Sequence, residues 1–305
     1  MTYSPKNFAL NPLQWVASSD GWIDPSLAPD LETRLRTIAA AGFTSIQSDV
    51  PADMSAADFG RALAAHGIAP GPGYIPVKIA EDLSDEATAT AAAHERARTV
   101  AAQHSELGIP VVFLAMGMAK DAVRVAHPAV GYDPDEARLE RVRDLLASTA
   151  EIVTGFGIRP AFHPHVGTWA ETEEETRFVL DTVDSSVLGF GPDIGHLSWA
   201  GADTRKLIAD YADRVAGVHV KDYRKDIAER GRVEGWTYQQ TVLAGLWVEP
   251  GHGTDEIDDV LSVLPEDWNG TVLIEVDRGA QATPEESIAL CGKWIAAKSN
   301  AHSAR

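Results

Sequence analysis

Short apolar or β-branched runs alternate with longer amphipathic stretches along nearly the whole chain, and this alternation constrains the fold most. It is typical of a parallel sheet covered by helices. Eight runs are predicted as strands: Phe8–Leu10, Thr44–Gln47, Ile68–Gly71, Val111–Ala115, Ile158–Phe162, Val187–Phe190, Val215–Val220 and Val272–Glu275. Eight strands predict an α/β fold of the closed (β/α)8 type. Because no linker-like tract divides the 305 residues, we expect a single domain over residues 1–305.

Helix signals fall between the predicted strands. The Ala-rich segment Glu86–Leu107 has the propensity of one long helix, and Thr172 with Glu175 forms a capping-box pattern. Residues 222–253 are too long for an ordinary connection and are expected to form a lid loop over the carboxyl ends of the strands. Residues 299–305 are expected to form a disordered tail.

Charge and cysteine content exclude several classes of function. The 26 basic and 45 acidic side chains give a net charge of −19, which repels nucleic-acid phosphates and anionic membranes. The lone cysteine, Cys291, cannot form an internal disulfide, and the sequence shows no signal-like or membrane-spanning apolar stretch. We therefore expect a cytoplasmic protein whose partners are small molecules rather than nucleic acid or membrane.

Polar residues that close apolar strand runs are informative, because the active site of a (β/α)8 barrel lies at the carboxyl ends of the strands. Side chains two positions apart on a strand share a face, so both can reach the barrel mouth. Four successive strands end in such residues: His163-Pro-His165, Asp193-Ile-Gly-His196, His219-Val-Lys221-Asp222 and Glu275-Val-Asp277.

Carboxylates and imidazoles at one place form a mixed nitrogen and oxygen site, which suits a divalent cation such as Mn²⁺, Mg²⁺, Co²⁺ or Zn²⁺. Ligand identity alone does not select among them, and Mn²⁺ is the first choice. One such residue is usually structural, but four successive strand ends with such residues are hard to explain by packing. Other histidines are expected to be solvated: His66, His94, His104, His127 and His302.

These motifs, in this order, resemble those of the xylose-isomerase-like barrels, a family of sugar isomerases, epimerases and lyases. Within that family, Asn11-Pro-Leu-Gln-Trp15 and the His163–Thr168 segment are most similar to inosose dehydratases. The catalytic (alpha) subunits of C-glycoside deglycosidases are a close second. The resemblance implies metal ligation by Asp193, His219 and Glu275.

The fourth ligand stays open between His163 and His165, because many family members have a glutamate where this sequence has His163. Whichever histidine is not a ligand is the first candidate for the catalytic base, since imidazole can accept and return a proton near neutral pH. The resemblance implies that His196 and Lys221 surround the metal or contact the substrate. Glu171 is a further candidate acid or base.

The implied reaction removes the proton beside the carbonyl of a keto-sugar or keto-cyclitol, such as an inosose or a 3-keto-glycoside. Loss of water or an aglycone from the β position gives a lyase, whereas return of the proton elsewhere gives a keto/aldose isomerase or 3-epimerase. A non-catalytic sugar-binding subunit is the third alternative. An abasic-site endonuclease fits the net charge of −19 poorly.

The family also suggests assembly, as a homo-oligomer or with a small β-rich subunit. Tryptophans near the predicted strand ends are expected to offer flat rings to a sugar or an aromatic aglycone: Trp15, Trp22, Trp169, Trp199, Trp236 and Trp247.

Overall fold

The computed structural model of the chain describes residues 7–79 and 85–303, with side chains described through residue 298. Within these residues the strands are β1 Phe8–Asn11, β2 Ser45–Gln47, β3 Ala69–Gly71, β4 Gly73–Val77, β5 Val111–Met116, β6 Arg159–Phe162, β7 Gly189–Phe190, β8 Gly217–Val220, β9 Asp222–Tyr223, β10 Trp247–Val248 and β11 Thr271–Glu275.

Two parallel sheets close into a ring. One contains β3, β2, β1, β11 and β8 in that order, and the other contains β4, β5, β6 and β7. Parallel bridges between Phe190 and Val215 and between Asp193 and His219 join β7 to the β8 segment. On the opposite side, β3 and β4 follow each other across Pro72 and together fill one position. The ring therefore has eight strand positions, which confirms the predicted (β/α)8 barrel.

Strand β4 is the part of the ring that the sequence pattern misses. The predicted third strand, Ile68–Gly71, covers only the first half of this position. Pro72 lacks the N–H that would continue the ladder, and Pro76 lies inside β4, so the segment does not resemble a strand by propensity.

Helices cover the outside of the ring, and most begin at a side-chain cap. They are α1 Leu31–Ala40, α2 Ala56–Ala65, α3 Glu86–Leu107, α4 Val123–Ala126, α5 Glu136–Thr154, α6 Glu173–Thr182, α7 Ile194–Trp199, α8 Thr204–Asp210, α9 Lys225–Glu234, α10 Tyr238–Leu243, α11 Ile257–Leu261 and α12 Pro284–Ser303. α3 has the predicted bounds, and Thr172 and Glu175 form both hydrogen bonds of the predicted capping box.

The last helix changes one prediction. α12 continues to Ser303, so the expected disordered tail is wrong for residues 299–303, while residues 304–305 lie outside the described part of the chain. Among the helices of the described residues, none combines the length and apolar character needed to cross a bilayer.

Residues 222–253 do not form the predicted loop. They fold as β9, α9, α10 and β10, and the two short strands pair antiparallel. Asp222 fixes the ends of this insertion, because one carboxylate oxygen accepts the backbone N–H groups of Gly251 and Gly253 at 2.9 Å each. The insertion is thus an ordered unit, and it places Tyr238 of α10 at the barrel mouth.

Phe113 of β5 fills the inside of the ring. It packs with Ala9, Ala161 and Leu273, which point inward from three other strands. Gly191 and Gly217 make room for the ring: a Cβ at either position would lie within 3 Å of a Phe113 ring carbon. The Phe113 ring packs against the side chains of His163 and His219 at the carboxyl ends of the strands.

Candidate active site at the carboxyl ends of the strands

Three of the predicted ligands meet directly above Phe113. His163 follows β6, Asp193 follows β7 and His219 lies in β8, so consecutive strands deliver the three side chains. One ligand atom from each lies within 4.8 Å of the others, and all three residues are buried. Asp193 Oδ2 is 3.9 Å from His163 Nε2 and 3.9 Å from His219 Nδ1. We call these three residues the ligand cluster.

The ligand cluster lacks the hydrogen bonds that buried polar atoms normally make. Both ring nitrogens of His163, both of His219 and Asp193 Oδ2 are buried without a hydrogen-bond partner among the described residues. Such atoms cost free energy unless something binds them. Two imidazoles and a carboxylate at this spacing fit a divalent cation, so the observed chemistry suits the predicted site.

Electrostatics within the ligand cluster agree with that fit. Burial lowers the pKa of His163 well below its usual value, so its nitrogen is free to act as a ligand. Burial raises the pKa of Asp193 to about 6, and the Lys221 ammonium, whose Nζ lies 3.7 Å from Oδ2, only partly offsets this shift. A bound cation would favour the ionised carboxylate and the neutral imidazole together.

Local structure aims Asp193 at the two histidines. The residue is the N-cap of α7, where Oδ1 accepts the backbone N–H of His196 at 2.9 Å. That bond leaves Oδ2 directed toward His163 and His219. Gly195 allows α7 to sit close to β8, since a Cβ there would be 2.4 Å from the carbonyl oxygen of Lys221.

Glu275, the fourth predicted ligand, lies beside the ligand cluster rather than in it. Its Oε2 is 3.3 Å from His219 Nδ1 and accepts a hydrogen bond from Asn11 Nδ2 at 2.6 Å. Its Oε1 is 2.5 Å from the Nζ of Lys221. Ligation by these four residues remains a prediction, but the geometry favours His163 over His165 as the partner of Asp193 and His219.

Lys221 is the cation of this network. Its ammonium is fully buried, 2.8 Å from Asp277 Oδ1 and 3.0 Å from His196 Nε2. Burial alone would lower its pKa, but Asp277, Glu275 and Asp193 raise it well above the usual value. Lys221 therefore stays charged and holds the two carboxylates of the last strand in place.

His165 lies next to the ligand cluster and faces the cavity. Its Nδ1 is 2.8 Å from the carbonyl oxygen of Val166, so Nδ1 carries the proton and Nε2 keeps a free lone pair. Its ring lies against that of His196, with centroids 3.7 Å apart. Burial lowers the pKa of His165 to about 3, so the ring is neutral at pH 7.

Glu171 does not have the surroundings expected of a catalytic acid or base. Its carboxylate accepts backbone N–H groups from Ala129, Val130, Gly131 and Gly167 at 2.8 to 3.3 Å. It is buried and lies outside the cavity lining. These contacts show that the carboxylate holds two loops together, and the catalytic role of Glu171 stays a prediction.

The cavity over the ligand cluster has a volume of about 260 Å³ and a mixed lining. His163, His165, Glu275 and Asp277 are among its polar residues. Its apolar residues include Leu13, Trp22, Ile23, Met116, Met118 and Val242. A ligand that fills the cavity would need both polar and apolar groups.

Tyr238 and Asp277 also face this cavity, although sequence reasoning assigned them no role. The Tyr238 hydroxyl donates to Asp277 Oδ2 at 3.3 Å. Period-two alternation after Glu275 is a signal that could have identified Asp277. Tyr238 offers no such signal, because the insertion brings it in from outside the strand pattern.

Two groups of surface predictions change. Among the six tryptophans expected at the mouth, Trp22 lines the cavity, whereas Trp199 and Trp247 are buried beneath it against the His196 ring. His104 is not solvated: it is buried on α3, and its Nε2 accepts the N–H of Gly73 at 2.9 Å.

The fold and the site together define a (β/α)8 barrel whose strand ends present a buried cluster of metal-ligand type. The family model described as the xylose isomerase-like TIM barrel matches residues 35–295, and the chain belongs to this family. The resemblance inferred from the motifs is thereby confirmed.

Among curated proteins, an inosose dehydratase of Lactiplantibacillus plantarum is 30% identical over 147 residues, which are 48% of this chain and 49% of that protein. The chain thus spans about half the length of the curated relatives it matches. A solved structure of the IolI protein with a binding zinc atom superposes with a TM-score of 0.68 at 16% identity, covering 97% of this chain and 99% of that one. A structure of L-ribulose 3-epimerase gives 0.67 at 17% identity, covering 97% and 95%. At these identities the solved structures show the fold alone.

Proposed function

We propose that this protein is a divalent-metal-dependent lyase that acts on a keto-sugar or keto-cyclitol. It would remove the proton beside the carbonyl and eliminate water from the β position. The main support is the ligand cluster, whose buried nitrogen and oxygen atoms lack hydrogen-bond partners and lie beside a neutral imidazole that lines the cavity. The similarity to an inosose dehydratase supports an inosose as substrate.

His163, Asp193, His219 and Glu275 would hold the cation. A divalent cation bound there would polarise the substrate carbonyl and stabilise the negative charge that develops when the neighbouring proton leaves. Mn²⁺ is our first choice, with Mg²⁺, Co²⁺ or Zn²⁺ as alternatives. The zinc atom named for the IolI structure supports a cation in this fold, although it belongs to that protein.

His165 would accept the proton at Nε2. The hydrogen bond from Nδ1 to the carbonyl oxygen of Val166 fixes the tautomer, and the tilted ring of His196, with its centroid 3.7 Å away, limits the orientation. Because burial lowers the pKa of His165 to about 3, the imidazole is neutral throughout the physiological range.

Lys221 and Asp277 would hold neighbouring side chains in position rather than transfer a proton. The Lys221 ammonium pairs with both Glu275 and Asp277, so the acidic wall of the cavity keeps one arrangement. Tyr238 lines the cavity, and its hydroxyl donates a hydrogen bond to Asp277 Oδ2, which helps to hold that carboxylate in place.

The same proton abstraction can end differently. If the proton returns to the neighbouring carbon, the protein is a keto/aldose isomerase, and if it returns to the same carbon on the opposite face, the protein is a 3-epimerase. The fold shared with L-ribulose 3-epimerase leaves these outcomes as the alternative. The products separate the two outcomes, because an epimerase loses no water.

A second candidate function rests on the apolar residues of the cavity lining. Leu13, Trp22, Met116 and Met118 could receive an aromatic aglycone. The substrate would then be a 3-keto-glycoside, and elimination would release the aglycone by C-glycoside cleavage.

The test uses chelated protein reloaded with Mn²⁺ and incubated in D₂O with scyllo-inosose or a 3-keto-C-glucoside. We expect loss of the proton signal beside the carbonyl, together with an enone absorbance or a free aglycone. Asp193→Asn should abolish both, because it removes a ligand oxygen while Asn preserves the N-cap of α7. His94→Gln, a change remote from the cavity on α3, is the matched control and should keep full activity.

Exchange with a new sugar and no eliminated product would assign the protein to the isomerases instead. Full exchange and elimination by Asp193→Asn would contradict a role for the ligand cluster. Absence of exchange by the wild-type protein with every metal and substrate tested would contradict the proposed function.

A further inference from the structure

Arg278 lies in the cavity wall without a carboxylate partner. It follows β11 by three residues, and its guanidinium is partly buried. Nη1 donates to the carbonyl oxygen of Ser18 at 2.9 Å. Within the part of the chain that the structure describes, no acidic oxygen lies within ion-pair distance of this guanidinium.

Other arginines among the described residues also bond backbone carbonyl oxygens and have no ion pair, as Arg159, Arg214 and Arg232 do. Arg278 differs from them in its position, because it lies in the lining of the cavity over the ligand cluster. An arginine at a cavity wall that keeps donors free is therefore available to a ligand.

The acids of the cavity do not need Arg278 as their counter-ion. Glu275 and Asp277 lie nearest to it in sequence, but both pair with the Nζ of Lys221, at 2.5 and 2.8 Å. Neither carboxylate lies within ion-pair distance of the Arg278 guanidinium, so the two acids do not occupy its free donors.

The contacts of Arg278 also indicate which part of the cavity it lines. Ser18, which accepts the hydrogen bond from Arg278, belongs to a hairpin that closes through the antiparallel bridge between Ala17 and Ile23. This hairpin carries Trp22 into the cavity lining. Arg278 therefore lies at the hairpin side of the cavity, whereas the ligand cluster lies on Phe113 inside the ring.

We propose that Arg278 binds an anionic substituent of the substrate, a carboxylate or a phosphate, at the end remote from the ligand cluster. This proposal rests on the proposed function for the placement of the carbonyl end. A guanidinium presents its N–H groups as a planar fork that matches either anion, and it cannot lose its charge at physiological pH. Within the proposed function, the preferred substrate would then be a keto-sugar or keto-cyclitol with an anionic substituent, and scyllo-inosose in the exchange test would serve as its uncharged analogue.

A binding measurement can show whether the protein prefers an acidic or a neutral substrate. Calorimetry on Mn²⁺-loaded protein would compare D-fructose with D-fructose 6-phosphate and with D-fructuronate, which differ mainly in the charged group. We expect one of the two anions to bind at least about tenfold more tightly than D-fructose. The anion with the larger preference identifies the charged group as phosphate or carboxylate.

Two variants assign the preference to Arg278. Arg278→Gln should reduce it to less than threefold, while Arg278→Lys, which keeps the charge, should retain most of it. Because all proteins carry the same cation, any attraction of phosphate to the metal cancels in the comparison with wild type.

Lys120→Met is the matched control. Lys120 also holds the hairpin, through an ion pair with Asp20 at 3.1 Å and a position over the Trp22 ring, but it does not line the cavity. We expect this variant to keep the wild-type preference. Equal loss in both variants would show that Arg278 acts only through the hairpin and would overturn the proposal.

The absence of any anion preference in the wild-type protein would also overturn it, as would a preference that survives in Arg278→Gln. These results are independent of catalysis, since binding is measured without turnover. Failure of the proposed function would instead appear as absent proton exchange in D₂O with every substrate tested, whatever the anion preference.

Discussion

Asp193 and Glu171 are both buried carboxylates near the barrel mouth, yet their surroundings differ. Four backbone N–H groups surround Glu171, so its charge is solvated by the protein itself. Asp193 accepts one such bond through Oδ1, and its Oδ2 faces two imidazoles that have no partners of their own. A buried charge whose hydrogen bonds are all made by the protein indicates a structural role. Buried donors and acceptors that face each other without hydrogen bonds indicate a site for a ligand.

The histidines repeat the contrast. His104 is buried on α3 and accepts the N–H of Gly73, which ties this helix to β4. His163 is equally buried but has both ring nitrogens unpaired. Burial alone therefore does not separate structural from functional residues, and the hydrogen-bond partners do.

The first prediction concerns His165, which has one partner and one free nitrogen. His165→Gln should lower the rate of proton exchange by about 100-fold or more, because the general base is lost. Metal affinity should change by less than threefold, because His165 lies outside the ligand cluster. Exchange followed by NMR and a metal titration measure the two quantities.

If His165→Gln also loses metal affinity, in proportion to its loss of exchange rate, His165 rather than His163 would be the fourth ligand. His94→Gln, whose side chain contacts Ser148 away from the mouth, should leave both quantities unchanged.

The second prediction concerns Glu171. Glu171→Gln should lower the free energy of unfolding by about 3 kcal/mol, because the new amide group faces N–H donors that the carboxylate accepts. Metal affinity of the folded protein should stay within threefold of wild type. Chemical denaturation gives the stability, and Glu174→Gln, an exposed change on α6, should remain within about 0.5 kcal/mol of wild type. A stable but inactive Glu171→Gln protein would instead support a catalytic role of Glu171.

The third prediction is a pH dependence due to His104. Burial lowers the pKa of His104 to about 4, below the 6.5 expected in the unfolded chain. The unfolded state then binds more protons between these values, so stability is complete above pH 6.5 and falls as the pH drops toward 4. Linkage puts the loss between pH 7 and pH 5 at about 2 kcal/mol.

His104→Gln isolates that contribution, since the Gln side chain can accept from Gly73 but does not titrate. The difference in unfolding free energy between wild type and His104→Gln should shrink as the pH falls from 7 to 5. A difference that stays constant across this range would show that His104 does not titrate in the folded state as described.

Much of this site was predictable because the strands are regular. His163, Asp193 and His219 end consecutive parallel strands, and barrel closure then requires them to converge. Period-two alternation likewise placed Lys221 on the same face as His219. The barrel itself follows from eight apolar runs, even though Pro72 and Pro76 conceal half of one strand position.

The other features depend on contacts between distant segments. Tyr238 reaches the mouth on an insertion whose helices are largely polar and resemble a loop in sequence. Glu171 accepts backbone N–H groups from its own loop and from one distant loop, and the burial of His104 comes from the packing of α3 on β4. No local pattern reports such contacts, so Tyr238 received no role and His104 was expected to be solvated.

The most direct measurement is calorimetric titration of the chelated protein with Mn²⁺ and with Zn²⁺, for wild type, Asp193→Asn and Glu171→Gln. We expect one metal site per chain in wild type, a loss of at least about 100-fold in metal affinity for Asp193→Asn, and wild-type metal affinity for Glu171→Gln. Absence of a site in wild type, or equal affinity in wild type and Asp193→Asn, would contradict the assignment of the ligand cluster as a metal centre.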